Sequence, residues 1–239
     1  MEKREKLVLI GNGMAGIRTI EHLIKLTPDK YDITIIGEEP HPNYNRIMLS
    51  SVLAGGADLK DITINDWDWY KENNITLITG QKVVSIDTNS HMVTTHLEKQ
   101  FTYDALILAT GSLPFMLPIP GTDKDGVIAF RNISDCQTML ETSKTYKKAV
   151  VIGGGLLGLE AARGLVHLGM DTSVVHIHHY LMERQLDEPA AKMLQQELES
   201  QGMHFLLNKQ SAAILGRSVR KHFNSPMAVW CKPISSLWL

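Results

Sequence analysis

Two short stretches constrain this chain more than any other feature. Residues 8–16 read VLIGNGMAG and residues 150–158 read VVIGGGLLG. Each is a run of apolar, mostly β-branched residues, then G-x-G-x-x-G, then helix-forming sequence. Such a segment reads as a buried strand, a tight turn and a helix whose N-terminus opens on the turn. Helix N-termini carry unpaired N–H groups and partial positive charge, and a pyrophosphate can use both if the backbone comes close enough. In the first copy Gly11 permits the tight turn, Gly13 clears the approach to the anion and Gly16 lets the helix pack on the strand. Met14 and Ala15 complete that turn. Gly153, Gly155 and Gly158, with Leu156 and Leu157 between them, repeat the arrangement. One such turn serves one dinucleotide, so two predict two dinucleotides.

Each unit should also supply an acid about 20 residues further on, where the next strand ends, to accept hydrogen bonds from ribose hydroxyls. The first unit has Glu38 and Glu39 there, after the strand in YDITIIG, and Glu38 is the favoured residue. The second has His176, in VVHIHHYL. Neutral imidazole accepts one hydrogen bond and cannot chelate two hydroxyls. Protonated imidazole would favour a 2′-phosphate, so the choice between NADH and NADPH stays open. His176, His178 and His179 also suggest a metal, but no cysteine or carboxylate cluster nearby completes a ligand set, and none is expected.

The rest of the chain fits this scheme. Helices are predicted at 17–26, 134–145, 159–168 and 187–201. Further strands are predicted at 31–37, 74–80, 82–87, 105–109, 149–152, 171–177 and 203–208, with a hairpin before residue 105. The proline- and glycine-rich stretch 111–121 reads as an inter-domain crossover. At 239 residues, 44% hydrophobic and 21% charged, with a net charge of −2, the chain has no basic footprint for nucleic acid. No apolar run suits a membrane span, and the charged N-terminus is no signal peptide. Cys136 and Cys231 are far apart and form no C-x-x-C, which fits a reducing, cytoplasmic setting.

Taken together, the chain resembles the two-dinucleotide-binding-domain flavoprotein oxidoreductases, the pyridine nucleotide–disulphide oxidoreductase superfamily in the broad sense. EEPHPNYNRIMLSSVL (38–53) resembles a segment of its rubredoxin, ferredoxin and nitrite reductase branch, and LILATGS (106–112) resembles its A-T-G motif. GGGLLGLEAARGL with LMERQLD (181–187) looks most like the N-terminal region of the NAD(P)H-dependent assimilatory nitrite reductase large subunit. The implied fold class is α/β: two Rossmann-like three-layer domains, with the second and the return to the first incomplete. The expected boundaries are 1–115 for FAD, 116–216 for NAD(P)H and a non-matching tail at 217–239.

The resemblance also implies roles. FAD would lie on the first turn and NADH or NADPH on the second. Arg46 would sit against the flavin or its pyrophosphate. Val83, Ala109, Thr110 and Gly111 would contact FAD, with Thr110 and Gly111 closing the backbone over it. Glu160 would lie near the nicotinamide as the catalytic-site acid. The electron acceptor is not implied. The absence of C-x-x-x-x-C argues against the disulphide-reductase branch. The tail from 217 loses period and family pattern and does not look like return strands. The expectation is therefore a truncated or frame-shifted reductase product, with an unpaired sheet edge, marginal stability and a tendency to self-associate.

Overall fold

The computed structural model describes residues 3–215 and the strand at 227–230. In chain order the elements are β1 (Glu5–Ile10), α1 (Met14–Leu26), β2 (Tyr31–Ile36), β3 (Asn43–Tyr44), a 3-10 turn (Arg46–Met48), α2 (Leu49–Leu53), β4 (Thr63–Asn65), α3 (Trp67–Glu72) and β5 (Thr76–Ile78). They continue with β6 (Val83–Asp87), β7 (Met92–Thr95), β8 (Gln100–Thr102), β9 (Ala105–Leu108), β10 (Val127–Ala129), α4 (Ile133–Thr145), β11 (Lys148–Ile152), α5 (Leu156–His167), β12 (Asp171–Val175), α6 (Glu188–Ser200), β13 (Met203–Leu206) and β14 (Met227–Trp230). The chain divides into two compact units. The first holds Met1–Asn45 and Lys60–Ser112; the second holds Arg46–Leu59 and Leu113–Leu239.

The first unit is built on a parallel sheet in the order β5-β2-β1-β9. Both faces of that sheet are covered, which is why β1 and β2 are nearly continuous apolar runs. Successive β1 side chains alternate between the two faces. Leu7 and Leu9 join Ile17 and Ile20 of α1, Ile33, Ile35 and Tyr70 in one core cluster. Val8 and Ile10 join Ile36 and Val93 in another, against which Val83, Phe101 and Leu106 pack. The second cluster brings in the antiparallel meander β6-β7-β8, giving three layers. Burying each large aliphatic side chain is worth about 1.5–3 kcal/mol, so these clusters dominate the unit's stability.

The second unit has a five-stranded parallel sheet, β10-β14-β11-β12-β13. This corrects the reading of the tail. Residues 227–230 form a strand, inserted between β10 and β11 in register, with Val150 opposite Ala228 and Ile152 opposite Trp230. Four residues without a period of their own gave no signal, because the ladder partners lie far away in sequence. The other residues of the 217–239 tail lie outside those described. Residues 46–59 also differ from the expected 1–115 block, since they cluster with the second unit. There α2 packs on α4 and α5. Gly164 makes this possible: a Cβ on it would stand 2.5 Å from Leu53 Cγ.

Helix starts follow local chemistry. Asp66, Asn132 and Asp187 cap α3, α4 and α6 through their side chains, and Asn132 with Asp135 forms a full capping box. By contrast α1 and α5 begin on Gly13 and Gly155 with no side-chain cap and no acid in the first turn.

Candidate functional site

The two long helices that start without a side-chain cap, α1 and α5, are those that open on the glycine turns; the five-residue α2, which begins after Met48, is uncapped as well. The order in which strands are added reverses at β1, which lies between β2 and β9, and at β11, which lies between β12 and β14. Open parallel sheets take ligands beyond the carboxyl ends of their strands at such a switch point. Both glycine turns stand there. In the second unit the switch point exists only because β14 fills the far side of β11.

In the first unit the three glycines sit in different surroundings. Gly11 has φ +109°, and a Cβ on it would lie 2.1 Å from the Ala109 carbonyl oxygen. A Cβ at Gly16 would lie 2.9 Å from the Gly11 carbonyl oxygen and 3.2 Å from Leu9 Cδ2, so the helix seats directly on the strand. Gly13 is different, because a Cβ there would meet nothing within 4 Å. The missing side chain is required by no protein neighbour, and the space it leaves lies at the start of α1. No side chain caps the N–H groups there. Met14 and Ala15 form the first turn of this helix.

Register gathers the other first-unit residues. Ile10 pairs with Ile36 on one side and Leu108 on the other, so the ends of β2 and β9 flank the turn. Beyond β2, Glu38 is exposed and its Oε1 lies 3.4 Å from Lys82 Nζ. The Glu39 carboxylate accepts a 2.6 Å hydrogen bond from the Tyr44 hydroxyl. Beyond β9 come Ala109, Thr110 and Gly111, the last at φ +70°. Val83 opens β6 and packs against the core cluster beneath. Arg46 belongs to the second unit, where its Nη1 donates to the Arg131 carbonyl at 3.3 Å.

A buried brace holds the first turn, and no motif announced it. The Tyr70 hydroxyl donates to Asn12 Oδ1 at 2.8 Å and accepts from the Asn43 N–H at 3.2 Å. Asn12 Nδ2 in turn donates to the His41 carbonyl at 3.1 Å. Burial pushes the Tyr70 phenol up to about 12, so it stays a neutral donor. A surface cavity lined by Arg4, Arg18 and Trp69 sits instead where β1 begins and α1 ends, and its arginines already pair with Asp29 and Glu21.

In the second unit Gly153 has φ +124°. Gly158 is buried in α5, Leu157 is half-buried, and Leu156 at the helix start is 55% exposed. Glu160 is the fifth residue of α5. Its carboxylate makes no hydrogen bond or ion pair among the described residues, and partial burial pushes it above its ordinary range. His176 is buried at the end of β12. Its Nδ1 accepts from the Gly154 N–H at 3.0 Å, and its Nε2 lies 3.1 Å from Glu183 Oε2. Since Nδ1 accepts, the proton sits on Nε2 and points at the carboxylate. Burial lowers the imidazole's proton affinity and Glu183 opposes this only in part. Both ring nitrogens are thus engaged within the protein. His178 lies 3.5 Å from Glu183 and His179 lies 3.7 Å from Glu188. Among the described residues no three histidine, cysteine or acidic groups gather as a metal site, and no helix is long and apolar enough to cross a membrane.

Comparison with known proteins agrees with this geometry. The family described as pyridine nucleotide-disulphide oxidoreductase matches residues 5–226. The chain is 62% identical over 213 residues to a nitrite reductase [NAD(P)H] of Bacillus subtilis (strain 168), covering 89% of this chain and 26% of that protein. It is 55% identical to the assimilatory nitrate reductase electron transfer subunit of the same organism, covering 92% of this chain and 29% of that one. Among solved structures, NADH:rubredoxin oxidoreductase from Clostridium acetobutylicum superposes with a TM-score of 0.79 at 29% identity, over 96% of this chain and 58% of that one. The chain spans between a quarter and a third of the length of the two Bacillus relatives. With two glycine turns at two switch points and a family match over nearly its whole length, the chain belongs to the pyridine nucleotide-disulphide oxidoreductase family.

Proposed function

We propose that this chain is an FAD-dependent NAD(P)H oxidoreductase module, with FAD held by the first unit and NADH or NADPH by the second. One observation carries the reading. The two helices that follow G-x-G-x-x-G begin uncapped on glycine, while α3, α4 and α6 are closed by side chains. A diphosphate would supply the missing cap in each. Gly11, Gly13, Met14, Ala15 and Gly16 would hold the FAD pyrophosphate, and Glu38 or Glu39 its ribose. Val83, Ala109, Thr110 and Gly111 would contribute further contacts. Gly153, Gly155, Leu156, Leu157 and Gly158 would hold the pyridine nucleotide, with Glu160 near its nicotinamide and His176 beneath its ribose.

The bound cofactors supply the redox chemistry, a hydride passing from reduced nicotinamide to flavin. The protein's share is position and electrostatics. Glu160, with no ion pair among the described residues and a raised proton affinity, would respond to charge brought near it. Relatives named as nitrite reductase and nitrate reductase electron transfer subunit favour an assimilatory nitrogen reductase as the setting. A carrier-protein reductase is the second reading, favoured by the likeness to NADH:rubredoxin oxidoreductase.

The test is direct. Purified chain incubated with FAD and desalted should stay yellow, and anaerobic NADH or NADPH should bleach it. Colourless protein that still binds nucleotide would mean a non-catalytic binding module. Yellow protein that neither nucleotide reduces would overturn the oxidoreductase reading.

A further inference from the structure

The second unit lacks an acid at the register position where one is needed. Val175 ends β12 and His176 follows it. Ribose hydroxyls are best held by a carboxylate, which accepts from both. The fold brings one to this place from elsewhere. Glu183 lies on the segment between β12 and α6, and its Oε2 accepts from His176 Nε2 at 3.1 Å. His176 is anchored in turn by the Gly154 N–H, at 3.0 Å. The Glu183 segment is also tied directly to the glycine turn, where the Met182 N–H donates to the Gly154 carbonyl at 3.0 Å. No slack is left: a Cβ at Gly154 would stand 2.7 Å from Leu181 Cδ2 and 2.8 Å from His176 Cγ. The carboxylate is therefore fixed against the turn, yet its side chain remains 23% exposed. Its second oxygen lies 3.5 Å from the exposed His178.

We propose that Glu183, held by His176, sets the second unit's preference for NADH over NADPH. The proposal rests on the reading that this unit holds a pyridine nucleotide. A fixed carboxylate beside the turn accepts hydrogen bonds from a 2′-hydroxyl and repels a 2′-phosphate. His176 then acts as a positioning residue, its neutral ring transmitting the rigidity of the glycine turn to the acid. The exposed cation next in sequence, Arg184, would act in the opposite sense, which makes the two residues separable by experiment.

The test is isothermal titration of the full chain with NADH and with NADPH, comparing the wild type with Glu183→Gln. Glutamine keeps an acceptor for His176 and removes the charge. The wild type should bind NADH more tightly, and the substitution should shrink the ratio of the two Kd values by about tenfold. An unchanged ratio with both nucleotides still bound overturns the proposal and leaves Arg184 to explain any preference. A wild type that binds neither nucleotide defeats the functional reading itself, which is a different result. If the variant fails to fold, the wild-type ratio is measured against salt. Screening should narrow it, and a ratio indifferent to ionic strength overturns the proposal.

Discussion

Replacing Gly13 with alanine separates ligand binding from folding in one substitution. Gly13 sits at φ −85° and ψ 173°, a conformation alanine adopts without strain. Its added methyl would meet no protein atom within 4 Å. Two small effects on the ligand-free chain oppose each other. Reduced freedom of the unfolded chain stabilises by about 0.4–1 kcal/mol, and alanine's poorer capping costs a similar amount. Thermal and urea unfolding of Gly13→Ala without FAD should therefore match the wild type to within about 0.5 kcal/mol. On the proposed reading, however, the methyl would occupy space through which the pyrophosphate approaches the start of α1. Losing two charge-assisted hydrogen bonds at about 1.5–3 kcal/mol each predicts at least a hundredfold weaker FAD binding. Gly11→Ala is the contrasting control. Its methyl would stand 2.1 Å from the Ala109 carbonyl oxygen at a backbone φ of +109°, so the ligand-free fold itself should lose more than about 2 kcal/mol. FAD titration by flavin fluorescence, beside the unfolding curves, reads both quantities. Unchanged FAD affinity in a well-folded Gly13→Ala chain would refute the cradle.

Two further outcomes follow from the same geometry. Tyr70→Phe strips the shared hydroxyl from Asn12 Oδ1 and the Asn43 N–H and leaves both short of a partner; the urea midpoint should fall by the equivalent of about 1–3 kcal/mol with the slope unchanged. Glu160 has a folded-state proton affinity above its ordinary 4.5 because burial penalises the charge, so the folded state binds its proton more tightly than the unfolded state does. Its contribution to stability is complete below that ordinary value and disappears as pH rises through the raised one. Ligand-free Glu160→Gln should therefore unfold at a higher temperature than the wild type at neutral pH, and the gap should close on acidification below 4.5. A gap that widens on acidification would reverse the sign.

Local pattern was enough to reveal the two strand–turn–helix units, the hairpin before β9 and the Asp187 cap of α6, because each depends on residues within about ten positions of one another. The tight turn at Gly11 and the close helix seat at Gly16 were legible in the same way, since both are demands on neighbouring backbone. Glu183 stood in a recognisable stretch, LMERQLD, but nothing in its spacing from His176 showed that the two side chains meet. Tyr70 belonged to no motif at all, and its hold on Asn12 spans 58 positions.

Periodicity and glycine placement thus dictated that two parallel units would form and where each helix would offer its free N–H groups. Long-range packing settled the rest. It placed Met227–Trp230 beside β11 and so created the second switch point; it gathered residues 46–59 into the second unit; and it engaged both nitrogens of His176 through Gly154 and Glu183. The physical reason is one of range. Backbone preferences and hydrophobic period act between near neighbours, whereas a ladder partner or a buried hydrogen bond exists only once distant segments have been brought together and water has been excluded between them.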